Sequence, residues 1–184
     1  MGWIVLGVAA LLAVWVVGVY NGLVRLRNRS ENSWSDIDVQ LKRRWELIPN
    51  LVETVKGYAA HEKQTLEGVI AARGAAMNAD GPEAKAGAEG DLTRALRQLF
   101  ALAEAYPDLK ANQNFLELQR QLSEIEDAIQ NARRYYNAVV RDLNTRIEVF
   151  PNNLVANTLG FDRKDYFELD SEAERTAPQV SFRA

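Results

Sequence analysis

The chain's one histidine, His61, lies in the stretch HEKQT. A zinc-protease helix needs a second histidine four residues on, with a glutamate between; position 65 is Thr65. A di-iron bundle needs two Glu-x-x-His elements, which a single histidine cannot furnish. His61 therefore reads as a surface or helix-flank residue. Asp36 and Asp38 stand two apart, so on a helix they point to different sides. Glu124, Glu126 and Asp127 surround the apolar Ile125. They read as solvated or ion-paired side chains rather than a general acid and base. GPEAKAG lacks the Walker spacing and its Lys-Ser/Thr end. There is no cysteine, which removes disulfides, thiolate metal sites and cysteine nucleophiles. The expectation is a protein that is not an enzyme, with no catalytic residue, metal or cofactor.

Two further sets concern recognition. In RRYYN, Tyr136 falls on an apolar face and Tyr135 flanks it, with Arg134 close enough for a cation–π contact. Arg134, Tyr135, Tyr136 and Asn137 form either a ligand or peptide pocket in a helical bundle or a core aromatic with flanking charges, and the second is the commoner arrangement. Asn50, Asn112, Asn114, Asn137 and Asn144 recur near apolar faces. A buried asparagine can fix helix register; an exposed one caps or is solvated. Asn112 fits a cap, and Asn137 and Asn144 fit either role.

These residues need elements to hold them. The 184 residues carry a formal net charge of -3 and a pI near 5.3, a poor balance for nucleic-acid binding, which requires phosphate-neutralising cations. Residues 1–24, MGWIVLGVAALLAVWVVGVYNGLV, have no charged side chain. As a helix they would run roughly 36 Å, enough for a hydrocarbon core of about 30 Å. Trp3 and Tyr20 stand toward the two ends, where amphipathic rings suit an interface. No basic leader precedes the apolar run and VWVVGVYNG is a poor cleavage site, which favours a retained anchor over a signal peptide. Arg25, Arg27 and Arg29 follow directly. They predict a C-terminal part on the cytoplasmic side and offer cations to anionic headgroups, or serve only as a topology signal. Gly18 and Gly22 have the GxxxG spacing that lets apolar helices approach closely, a pattern chance also produces.

Beyond the anchor, apolar residues recur at steps of three and four from Trp34 through Ile37, Leu41, Trp45, Ile48, Val52 and Val55 to Ala59. The stripe keeps its phase across Pro49 and leaves no room for a turn. It predicts one long helix over about 32–78, kinked where proline leaves the Trp45 carbonyl without its donor. Residues 78–90, NADGPEAKAGAEG, predict a loop, with Asp91 capping a third segment that Pro107 stops. Leu118, Leu122, Ile125, Ile129, Ala132, Tyr136, Val139 and Leu143 alternate four and three, the seam of a bundle or coiled coil. Pro151 ends it. Residues 152–161 predict a short helix with an asparagine cap and a stop at Gly160. The fold class is all-α: an N-terminal transmembrane helix (1–24), an antiparallel helical bundle with two long helices (25–161), and a mostly irregular tail (162–184).

WSDIDVQLKRRWELIPNLVETVKGYAAHE, YPDLKANQNFLELQRQLSEIED, ARRYYNAVVRDLN and FPNNLVANTLGF resemble, in this order, segments of the LemA family of bacterial membrane proteins. The resemblance spans about residues 20–167; Ser33 stands where a small residue such as alanine is expected. It implies a transmembrane helix and a helical bundle, and it supplies no shared catalytic residues to carry over. It also implies a part in membrane organisation, including organelle membranes, or in envelope physiology. The expected function is thus a scaffold of the bacterial inner membrane that self-associates, with membrane lipid and unidentified proteins as partners. The alternative is a tethered sensor or adaptor with a ligand or peptide in the bundle.

Overall fold

The computed structural model describes residues 1–168. They form α1 (Gly2–Lys56), α2 (Lys63–Asn78), α3 (Pro82–Ala103), α4 (Pro107–Lys110), α5 (Gln113–Glu148) and α6 (Asn152–Thr158), with no strand among the described residues. The all-α class and the two long helices stand as expected. The tail expected over 162–184 has no helix at 162–168, and the remainder lies outside the described residues.

Helix α1 runs from the apolar segment through the arginine triplet and past Pro49 without a break. Its buried stripe continues the spacing seen in the sequence, with Ile37, Leu41, Trp45, Ile48, Val52 and Val55 all withdrawn from solvent. The carbonyl that Pro49 leaves unpaired belongs to Trp45, and the Arg73 guanidinium on α2 donates its Nε proton to that oxygen at 2.7 Å. A defect in one helix thereby becomes a contact with the next.

Two boundaries differ from expectation. The helix predicted over 32–78 is interrupted: α1 ends at Lys56 and a tight turn over 57–62 precedes α2. Gly57 is a poor helix former, and the Tyr58 and Ala59 amides both donate to the Val55 carbonyl. Glu62, directly before α2, accepts a 3.1 Å bond from the Tyr106 hydroxyl. The loop predicted over 78–90 is short, because α3 begins at Pro82. Proline suits the first helical position, where its missing N–H is not needed, and Gly81 turns the chain into it at φ 79°. Asp91 lies inside α3, where it pairs with Arg94, and so caps nothing.

Asn112 does cap α5: its Oδ1 accepts from the Phe115 amide at 3.0 Å. Helix α6 differs again, because Pro151 occupies the cap position and no side chain bonds there. Gly160 closes the segment at φ 67°, a left-handed conformation that favours glycine.

The chain packs as two compact units. One comprises Met1–Arg44 with Ser123–Tyr166. Within it α1 and α5 run antiparallel, since Gly22 faces Arg146, Arg29 meets Tyr135, and Arg44 pairs with Glu126 at 3.3 Å. Val19 and Leu23 join Leu143, Ile147, Val155, Ala156 and Phe161 in one apolar cluster. The other unit comprises Trp45–Leu122 with, among the described residues, Phe167 and Glu168. There the Trp45 indole donates to the buried Glu89 carboxylate at 2.6 Å, with Lys85 over its ring, and Phe100 stands edge-on to Phe115.

Candidate functional site at the exit of the apolar segment

Of the residues singled out for recognition, the glycine pair, the arginine triplet, Arg134 to Asn137 and Asn144 belong to the first unit, where the uncharged segment gives way to arginine, while Asn50, Asn112 and Asn114 belong to the second. Residues 1–18 are exposed throughout, and burial begins at Val19. One turn later Gly22 receives the Arg146 guanidinium from α5, 3.5 Å from where a Cβ would stand, while nothing lies within 4 Å of the corresponding point at Gly18. The two glycines therefore have different surroundings: one faces α5 and the other is open.

The arginine triplet is likewise divided. Arg25 projects into solvent. The Arg27 guanidinium lies 5.3 Å from the centre of the Phe161 ring. That of Arg29 lies 5.3 Å from the centre of the Tyr135 ring and donates to the Tyr135 hydroxyl at 2.7 Å. Cation–π and hydrogen-bond contacts of this kind hold the charged heads in fixed positions. Tyr135 thus finds its arginine across the helix pair; Arg134, its expected partner, bonds Asn131 on its own helix.

Tyr136 is almost fully buried at 2 % exposure. Its ring packs on Trp34 at 5.3 Å, and its hydroxyl donates to the Asp165 backbone carbonyl at 2.9 Å. Burial, and then the Asp165 charge, push this phenol up to about 12. At neutral pH it is a proton donor and cannot act as a base. Asn144 is buried as well. Its Nδ2 donates to the Lys164 carbonyl and its Oδ1 accepts from the Lys164 amide, each at 2.9 Å. Lys164 also reaches Glu31 at 3.2 Å. These bonds strap residues 161–165 onto α1 and α5. Of the two settings open to it Asn144 has the buried one, and both its side-chain bonds go to the Lys164 backbone. Asn137 is half-buried, and Asn50 and Asn114 are exposed.

The sequence did not reveal this strap. Residues 161–166 carry no periodicity, because an extended segment held by Tyr136 and Asn144 needs none. The local signals were Phe161 directly after a turn glycine and the aromatic pair Tyr166 and Phe167, which suggested an ordered start to the tail; Phe167 is fully buried. No three His, Cys, Asp or Glu side chains converge as a metal site among the described residues. The site offers fixed cations, aromatic edges and apolar surface.

The LemA family is matched over residues 33–182. Magnetosome protein MamQ 2 of Paramagnetospirillum magneticum is 30 % identical over 191 residues, covering 89 % of this chain and 70 % of the relative. Protein LemA of Metamycoplasma hominis is 31 % identical over 169 residues, covering 90 % and 75 %. Magnetosome protein MamQ of Magnetospirillum gryphiswaldense is 28 % identical over 174 residues, covering 80 % and 64 %. With the apolar helix, the bundle seam and the FPNNLVANTLGF corner accounted for in three dimensions, the chain belongs to the LemA family.

Proposed function

We propose that this protein is a non-enzymatic scaffold, held in the bacterial inner membrane by residues 1–24, with its helical units on the cytoplasmic side. The observation that carries the reading is the continuity of α1. One unbroken helix passes from an exposed, uncharged segment into the packed part of the protein, so whatever binds the folded part is tethered to the bilayer. Relatives named as magnetosome proteins support a part in organising a membrane. Self-association would use the open face around Gly18 and the surfaces of the long helices. The adaptor alternative needs space around Tyr136; the Trp34 ring and the Asp165 carbonyl occupy its surroundings, which supports the scaffold.

Crosslinking of the full chain in its native membrane, read by mass spectrometry, tests the reading. Crosslinks between copies or to other membrane proteins are expected. A chain that yields only internal crosslinks, and a single-copy mass in mild detergent at every concentration, would overturn it. Orientation has a separate test. A reporter fused after Ala184 is expected to work in its cytoplasmic form, and activity confined to the outer side would reverse the assignment.

A further inference from the structure

Residues 2–18 are the uncovered first stretch of α1, and at about 1.5 Å per residue they span about 26 Å. That falls slightly short of a hydrocarbon core of about 30 Å. The uncharged stretch continues to Val24, but there Val19 and Leu23 are already buried against Leu143, Ile147 and Val155. The end of α5 and helix α6 therefore pack on a part of the apolar segment that lies at the depth of the bilayer boundary.

The surface of this corner fits that depth. Phe150 is 74 % exposed, Leu154 57 %, Val149 49 % and Leu159 47 %. Such side chains facing water together at one end of a unit mark an interaction surface. At the same corner Tyr20 meets Phe161 edge-on at 5.8 Å, and the Arg27 guanidinium lies 5.3 Å from the centre of the Phe161 ring. Apolar surface, then aromatic rings, then cations is the order of chemistry met on leaving a bilayer.

We propose that the corner from Val149 to Leu159 is a second membrane contact. Its exposed apolar side chains insert into the headgroup–acyl boundary of the leaflet through which α1 leaves the bilayer, as an interfacial element does. The occupant of this surface is lipid. Continuity with the uncovered anchor argues for lipid over a second copy, because the corner is fixed by Val19 and Leu23 at the place where the anchor's own lipid-facing surface ends. The proposal rests on the anchor reading above.

The chain has no cysteine, so single labels can be placed without background. An environment-sensitive nitrobenzoxadiazole label is attached to Phe150→Cys, Leu154→Cys, Leu11→Cys and Leu116→Cys variants of the full chain. Leu11 reports the anchor, and Leu116 is an exposed apolar position near the start of α5. Each is reconstituted into phosphatidylcholine–phosphatidylglycerol vesicles, with and without lipid spin-labelled near the glycerol end of its acyl chain. Far-UV circular dichroism selects folded variants, and Leu154 serves if the Phe150 variant does not fold. Labels at 150 and 154 are expected to shift to the blue and lose intensity with spin-labelled lipid, while the label at 116 does neither. If 150 and 154 behave like 116 while 11 is quenched, the corner is dry of lipid and the proposal falls with the anchor intact. Shielding from aqueous iodide without quenching by lipid would show a protein partner there and overturn it equally. Quenching at 116 to the same extent would assign the signal to the label itself and also defeat it. An unquenched label at 11 would remove the anchor and the proposal together.

Discussion

Arg73 supplies to the Trp45 carbonyl the proton that Pro49 cannot. Leaving a sheltered acceptor unpaired costs about 1–3 kcal/mol, so Arg73→Met is expected to lower stability by about 1–2 kcal/mol in urea unfolding. In a Pro49→Ala background an alanine amide can reach the same oxygen, and the loss from Arg73→Met should shrink; an equal loss in both backgrounds would mean that Arg73 acts only through packing. Half of this pairing was legible in the sequence: helical rules name Trp45 as the residue deprived by Pro49, but only folding brings α2 close enough to answer. Tyr136 makes the opposite case, because its place on the seam was plain while its hydroxyl partner lay in a segment with no pattern. Its ionisation is expected late in an alkaline titration followed by tyrosinate absorbance. The folded protein holds this proton up to about pH 12, above the ordinary value of 10.0. The stability it contributes is therefore complete below pH 10 and is lost as pH rises through 12. Tyr106 is also raised, first by its bond to Glu62. Tyr136→Phe should accordingly reduce the late absorbance component without abolishing it, at a cost of about 1 kcal/mol for the lost bond to Asp165.

At the scale of elements, long periodic segments were legible and short irregular ones were not. The seam of α5 repeats apolar residues so regularly that no other structure buries them. The start of α3 was hidden because AKAGAEG looks like a loop by its glycines; Pro82 at the first helical position and neighbouring alanines favour a helix there. The break after Lys56 was masked by a stripe that runs on to Ala59, although Gly57 marks it. Gly81 has φ 79° and ψ 163°, a region open in practice only to glycine. Gly81→Ala is expected to cost about 1–3 kcal/mol in thermal or urea unfolding, although nothing crowds the new Cβ. A neutral result would mean that the turn relaxes to another conformation.

For the whole molecule, the sequence made clear an anchor and a helical body, and it could not show how tightly one leads into the other. Helix α1 has no break between the exposed residues 1–18 and Arg44, so the first unit is built on the same helix that would enter the lipid. Bilayer thickness then acquires a mechanical meaning. A spanning helix adjusts to thin or thick hydrocarbon by changing its tilt, and a helix without a hinge imposes that tilt on what it carries. Spin labels at Leu11 and Lys42, read in oriented bilayers of increasing acyl length, are expected to change angle together. Independent angles would reveal a hinge. Where they move together, the lean of the first unit becomes a gauge of the membrane's thickness.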